Sequence, residues 1–457
     1  MSTPLRVTHV ALTSTPDARA AGRPELTPEL LSATGARYSR SIDGLDVILS
    51  KIDPSDMDAA VDRIFKFVDY GHASIADMAP VAMFIDGISM WLAYHIWSLV
   101  PTAGGQESST RYIRIANDTL LGADITGASD SNHASAAMDI YNQALAYWEG
   151  IAEQFPALVR IPQGTPTKAA ARIRRNYAFD RARYFLPVTA QTNMMLVMSA
   201  RGWVGLIQQL LASGLAEAEQ VAAVMRDELA LVTPRLIRHA RLVDGIAAGI
   251  RANQVEVSQR ANVIPNDLAS GFGEARDSAF VDIDVPADVT DAAMTSAFAF
   301  HDNRYGFVGD ALRRTSVRFG WEAVTMAELR DLNRHRTGNK YCPMLPLGFY
   351  CALDEVPEGV DASPLEAWAQ RGRQMTLTAR EGIAAGNPAD IYKSLLGSQF
   401  FFEHTTTADK FIYEAELRTG TGAHYKYAKH LHDCLELWYE RFPETKGLVL
   451  EGTAEPE

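Results

Sequence analysis

The sequence predicts an α+β fold in which one order of elements occurs twice. Three observations predict it: long segments whose apolar residues recur three and four apart, short β-branched or aromatic runs between them, and a composition shift in mid-chain. Arg6–Leu12 is read as the first strand. The apolar segment Met78–Val100 contains a second strand, Val81–Ile85, and leads into a polar loop ending at Tyr112. Ala134–Gln154 has helical periodicity, and a hydrophobic stretch, Tyr184–Arg201, carries the strand Met194–Met198. Ala216–His239 is a closing helix. Residues 262–267 and 271–289 are rich in turn formers and acidic residues, which places a boundary between about 240 and 290. The order then repeats: Ala323–Asn333 as a helix leading into a polar loop, Pro364–Ala385 as an amphipathic helix, Ile391–Lys410 with the strand Phe400–Glu403, and the closing helix Lys410–Arg441. We read a diverged tandem duplication, 1–240 and 241–457.

The 457 residues are enough for two or three domains with cores of their own, and 47% hydrophobic with 22% charged residues is a folded, not a disordered, composition. Acidic residues outnumber basic ones, 56 to 43, and no long Lys/Arg stripe offsets the net charge of −13. Nucleic-acid binding by bulk electrostatics is disfavoured, whereas a small anion needs only a few arginines in one cleft. Cys342, Cys351 and Cys434 lack metal-ligand or redox spacing and suit a reducing cytoplasm. No metal site is expected. The N-terminus lacks a secretory pattern, and Met78–Val100, which carries Asp86 and His95, is a core segment and not a membrane span.

Two segments are candidates for chemistry. After Gly104-Gly105 comes Gln106-Glu107-Ser108-Ser109-Thr110-Arg111-Tyr112. It is either an ordinary polar connection or a loop in which Ser109 and Arg111 donate to a phosphate while Glu107 accepts from a base or sugar. The second is Asn333-Arg334-His335-Arg336 at a helix end, either a complement to the helix dipole or a cationic cradle for a pyrophosphate or an anionic redox ring. Gly71-His72-Ala73-Ser74 is either a ligand-facing turn or a helix stop and cap, and Arg183 and Arg418 are single arginines whose default is surface salt bridging. Glycine-rich dinucleotide, Walker, nucleophile-elbow and zinc-protease motifs are absent from the sequence.

Together these segments resemble the flavin-dependent thymidylate synthases, whose signature is Arg-His-Arg, five residues, then Glu-x-Ser-x-Arg-Tyr. Here the signature is divided. The first half keeps Glu107, Ser109, Arg111 and Tyr112 but has Leu99-Val100-Pro101 for Arg-His-Arg; the second keeps Arg334-His335-Arg336 but has Cys342, Met344 and Pro346 for Glu, Ser and Arg. Gly35-Ala36-Arg37-Tyr38-Ser39, Gly71–Ser74, Ala182-Arg183-Tyr184-Phe185-Leu186-Pro187, Ser199-Ala200-Arg201 and Leu417-Arg418 with Ala423-His424 are similar to further family segments. Leu210 stands near the expected pyrimidine arginine of the first half, Thr407-Ala408-Asp409 where the second half should repeat Asn-Ala-Arg, Asp331 for a family glutamine and Asp77 for a glutamate.

The resemblance implies two thymidylate synthase-like repeats, helix-rich with small antiparallel sheets, and an enzyme that transfers and reduces a folate-borne one-carbon unit onto C5 of a pyrimidine nucleotide, dUMP first. It implies FAD, with methylenetetrahydrofolate and NADPH as co-substrates. Gln106, Glu107, Ser109, Arg111, Arg183 and Arg418 would bind substrate, Glu107 and Arg418 acting in catalysis; His72, Ser74, Ser199, Arg201, Arg334, His335 and Arg336 would hold the flavin. Because the family assembles each site from several subunits of a tetramer, a homodimer forming a pseudo-tetramer is expected. Methylation of another nucleotide or a secondary metabolite, and a catalytically silent nucleotide- or flavin-binding protein, remain the rival readings.

Overall fold

The computed structural model describes residues 3–53, 56–69, 73–111, 113–127, 131–159, 161, 163–261, 277–420 and 422–452. Tyr112, Gly71, His72 and the turn-rich 262–276 lie outside them. The fold is α+β. It comprises two compact units: Met1–Ser109 with Ala116–Ser129 and Thr189–Val255, and Thr110–Ile115 with Asp130–Val188 and Glu256–Glu457.

The first unit is built on an antiparallel sheet of β1 (Arg6–His9), β2 (Pro80–Ser89), β3 (Gly104–Glu107) and β4 (Gln191–Ser199), in the order β1-β2-β4-β3. Alternation decides its faces: Val81, Met83 and Ile85 are buried, Phe84 is exposed, and β4 buries Met194, Leu196 and Met198. Each long strand runs straight into a helix. Ser89 caps Met90–Leu99 and Ser199 caps Ala200–Leu211 by accepting from the third residue on. The buried Glu217 carboxylate accepts from both the backbone N–H (2.6 Å) and the hydroxyl (2.7 Å) of Ser89, so this helix start is fully paired inside the core. Asp86 and His95 sit within this buried stretch, and no helix among the described residues is long and apolar enough to cross a membrane.

The second unit repeats the plan. Its sheet contains β5 (Ala279–Asp284), β6 (Ser316–Thr325), β7 (Asn339–Tyr341), β8 (Gly348–Phe349) and β9 (Ser398–Thr407), ordered β5-β6-β9-β7 with β8 on β9. The correspondence extends to register. Pro80 faces Ser199 and Ser89 faces Gln191; Ser316 faces Thr407 and Thr325 faces Gln399. Both strand pairs carry one register shift, between Ile85 and Ile88 and between Trp321 and Val324. Helices Met326–Leu332, Ser363–Ala384, Ala408–Thr419 and Tyr425–Arg441 pack around this sheet.

Several boundaries differ from the sequence reading. Ala323–Thr325 ends β6, because Thr325 and Glu328 form a reciprocal capping box that starts the helix only at Met326. Lys410–Arg441 is two helices, parted by Gly420 and capped anew by His424. Ala216–His239 divides at Thr233-Pro234 into a helix ending at Val232 and a single 3-10 turn, since proline cannot continue the backbone ladder.

In the second unit one buried ion network ties helix Tyr425–Arg441 to the start of Met326–Leu332. His430 meets Glu328 at 2.7 Å and Asp277 at 3.0 Å, and Lys426 lies 3.0 Å from Asp277. Burial opposes the imidazolium, but Glu328 and Asp277 outweigh it and raise His430 from 6.5 to about 9. A pKa raised on folding stabilises fully below the unfolded value and is lost as pH climbs through the folded one. Urea unfolding is therefore expected to show stability falling by roughly 1–3 kcal/mol between pH 6.5 and 9. His430→Gln should flatten that slope.

Candidate functional site

Five of the sequence-predicted residues converge in the second unit. Arg183 begins a 3-10 turn after helix Thr167–Ala182, and the run Ala178–Ala190 is almost wholly buried. Leu396 and Gly397 donate backbone hydrogen bonds to Leu186 (2.8 Å) and Tyr184 (2.7 Å), pinning that turn. Gly397 has to be glycine: a Cβ there would collide with the carbonyls of Tyr350 and Tyr184. The guanidinium of Arg183, 2% exposed, is thereby carried inside the protein.

Arg111, in the short loop Thr110–Ile115, makes a bidentate pair with Asp180 (2.8 and 3.0 Å) and donates to the Gly422 carbonyl at 3.1 Å. Despite burial, Asp180 holds this guanidinium more firmly protonated than usual. His424, buried beside it, lies 3.2 Å from the backbone oxygen of Asp180.

Asp331 stands at the centre. It occupies the last turn of helix Met326–Leu332, 8% exposed, with its carboxylate 3.6 Å from Arg334 and 3.8 Å from Arg183. These are ion-pair distances, too long for hydrogen bonds. Burial disfavours its charge, yet Arg334, Arg183, Arg418 and Arg111 prevail and lower its pKa. Arg418, in the last turn of Ala408–Thr419, donates to the backbone oxygen of Asp331 (3.2 Å), to Tyr427 (3.1 Å) and to Nε2 of His335 (2.7 Å). Burial opposes its charge, and Tyr427, Asp331 and Glu414 more than restore it.

His335 is 8% exposed, and burial holds its pKa down at about 3. The imidazole is neutral. Arg336 is exposed on the same turn. Among the described residues, Nε and Nη2 of Arg183 and Nε of Arg334 are buried donors without a hydrogen-bond partner. An unpaired buried donor is costly, so these atoms are suited to an acceptor-rich ligand.

The remaining predicted residues lie in the first unit, apart from His72, which is outside the described residues. Gln106 is exposed and Glu107 buried on β3, Ser109 is half-buried just beyond it, and Ser74 is exposed. Ser199 donates to Asp77 at 3.3 Å and Arg201 pairs with the same carboxylate at 2.8 Å, both arginine and aspartate being about half exposed. The sequence reading missed Asp180, His404, Glu414 and Tyr427. Only Glu414 left a signal, lying one helical turn before Arg418 on the same face. Burial pushes the Cys434 thiol up, away from a reactive thiolate.

Residues 26–235 match the family model described as thymidylate synthase complementing protein. That match covers a little under half of the chain. UPF0159 protein Ta1429 of Thermoplasma acidophilum is 25% identical over 202 residues, 38% of this chain and 40% of its own length. The chain thus spans less than half the length of that relative. Among solved structures, a UMP/dUMP methylase, PolB from Streptomyces cacaoi bound with 5-Br dUMP, is similar at a TM-score of 0.32 and 14% identity, over 52% of this chain and 95% of its own.

The pair Arg111–Asp180 supports the cluster structurally. Asp180→Ala strands a buried cation and should cost about 3–5 kcal/mol, whereas Arg111→Leu combined with Asp180→Leu should cost far less. Chemical denaturation of the single and double variants measures the difference.

Proposed function

We propose that the chain is a flavin-dependent thymidylate synthase-like methyltransferase, which transfers and reduces a folate-borne one-carbon unit onto C5 of a pyrimidine nucleoside monophosphate, dUMP to dTMP being the first reaction to test. The observation that carries this reading is the buried guanidinium of Arg183, with two unpartnered donor atoms, among Arg111, Arg334 and Arg418. Asp180 offsets Arg111 and Asp331 offsets one of the other three. The positive charge of about two guanidinium groups is left, which matches a phosphomonoester dianion. The match of residues 26–235 to the family model described as thymidylate synthase complementing protein supports the pyrimidine.

In this reading Arg183 holds the phosphate, with Arg111 beside Asp180 adding to the positive field, and Arg418 stabilises negative charge growing on the pyrimidine as C5 attacks; the family resemblance assigns Ser109 to the phosphate and Gln106 and Glu107 to sugar or base. No thiol nucleophile is needed. The buried, unpartnered Nε of Arg334 and the exposed Arg336 beside it suit an anionic, acceptor-rich cofactor such as FAD. Ser74, Ser199, Arg201 and His72 would complete its cradle, and His335 would fix the turn that carries the two arginines. Bound flavin supplies the redox chemistry, with methylenetetrahydrofolate as carbon donor and NADPH as reductant.

The shared strand order, register and bulge of the two sheets support descent by tandem duplication, with repeats 1–240 and 241–457. Compact units and repeats are different divisions, since residues 110–115 and 130–188 of the first repeat pack with the second. We further propose a cytoplasmic homodimer with the outline of a pseudo-tetramer. A second reading, methylation of another nucleotide or of a secondary metabolite, is favoured by Asp331: its carboxylate accepts hydrogen bonds only, and so suits a ligand that presents a donor there.

The test is an absorption spectrum with dUMP titrated in. Flavin bands that shift with dUMP are expected, and Arg183→Ala should keep the bands while weakening dUMP by about tenfold or more. A colourless protein refutes flavin dependence, and bands indifferent to dUMP turn the search to other acceptors. Arg111 and Arg334 lie in one unit of one chain, so mixing Arg111→Ala with Arg334→Ala protein should restore no dUMP-dependent activity. Recovery in the mixture would instead mean that sites are shared between chains.

A further inference from the structure

A chain of buried polar groups runs behind Arg418. Its Nε donates to Nε2 of His335 at 2.7 Å. A nitrogen that accepts from a guanidinium carries a lone pair, so the proton of His335 is on Nδ1. That Nδ1 is 3.7 Å from Oε2 of Glu414, a carboxylate 1% exposed; at this distance the carboxylate acts on the Nδ1–H through its charge and not through a hydrogen bond. The same oxygen is 3.1 Å from Nδ1 of His404, an ion-pair contact and not an aligned hydrogen bond, while Nε2 of His404 meets the Thr337 carbonyl at 2.6 Å. Carbonyl and carboxylate oxygens only accept. Nε2 of His404 therefore carries a proton toward the Thr337 carbonyl, and the ring it anchors lies against Glu414.

We propose that Glu414 and His404 are positioning residues: they hold His335 as its Nδ1–H tautomer, and His335 in turn fixes the rotation of Arg418. Tyr427 and the Asp331 carbonyl take the other two contacts of that guanidinium, so its orientation is set from three sides. Two cations back to back would repel, and a neutral acceptor is what permits a buried arginine to rest against an imidazole. The groups facing His335 are Glu414, Arg418, Lys340 and His404, with the Lys340 ammonium donating to the backbone oxygen of His335. The consequence for binding rests on the proposed function; the tautomer does not.

The decisive experiment is a long-range proton–nitrogen spectrum of the full-length protein labelled with 15N-histidine. Wild-type His335 should give the neutral Nδ1–H pattern throughout pH 5–8, and an Nε2–H or imidazolium pattern overturns the proposal. Glu414→Leu removes the charge and should let the Nε2–H pattern appear and weaken dUMP by about tenfold or more, while Glu414→Asp, which keeps the carboxylate, should restore both. An unchanged His335 in a folded Glu414→Leu protein also overturns it. If Glu414→Leu does not fold, the isosteric Glu414→Gln decides, since an unchanged Nδ1–H pattern without the carboxylate charge overturns the proposal. A wild-type protein with the expected tautomer but no dUMP binding leaves the positioning intact and refutes the nucleotide reading.

Discussion

Burying several guanidinium groups around one carboxylate is the constraint on which the second unit depends. In a low-dielectric interior like charges repel strongly, and each has to find an opposite charge or an acceptor. Asp180 does this for Arg111 with two short hydrogen bonds. Asp331 does it for Arg183 and Arg334 only loosely, at 3.6–3.8 Å. The difference matters. A tight pair is structural, whereas a loosely compensated cation with idle donors keeps most of its attraction for a ligand.

The same accounting explains the backbone around the cluster. Asp331 and Arg418 both occupy last turns of helices, where arginine side chains also meet the partial negative charge of unpaired carbonyls, and Arg418 donates to one of these at Asp331. Gly338, with a φ of +68°, turns the chain from the Arg334–Arg336 segment into β7. Any side chain there would strike Thr405, so the turn that carries the arginines is fixed by glycine as much as by charge.

Much of the fold was legible because apolar periodicity reports burial directly. Met194–Met198 and Phe400–Glu403 fell inside β4 and β9, and Pro364–Ala385 matched the helix Ser363–Ala384 within a residue at each end. Polar or mixed strands were not legible: Gly104–Glu107 looks like a loop, and β6 was read partly as helix because its last residues share the apolar run of the helix that follows. The arginines of the site were legible as residue types in a divided motif. The residues that hold them were not, because Asp180, His404 and Glu414 take their meaning from packing between distant segments, which no local pattern encodes.

The register of the two sheets sharpens what the division of the motif means. Ser199 and Thr407 occupy the same place, and so therefore do Leu210 and Arg418 on the helices they start. Leu210 is fully buried, and the first helix points a hydrocarbon where the second points a guanidinium. Similarly Arg201, paired with Asp77, corresponds to Asp409. At this place the first unit has core, and the second has the cation together with the buried Glu414 and His335 behind it. Since Arg111 and Arg183 of the first half pack into the second unit, the cluster draws on both halves of a single chain. The proposed duplication requires such packing, because a function lost at one copy of a position survives only where the other copy is in reach of its complementary partners. The segments 110–115 and 130–188 provide that reach.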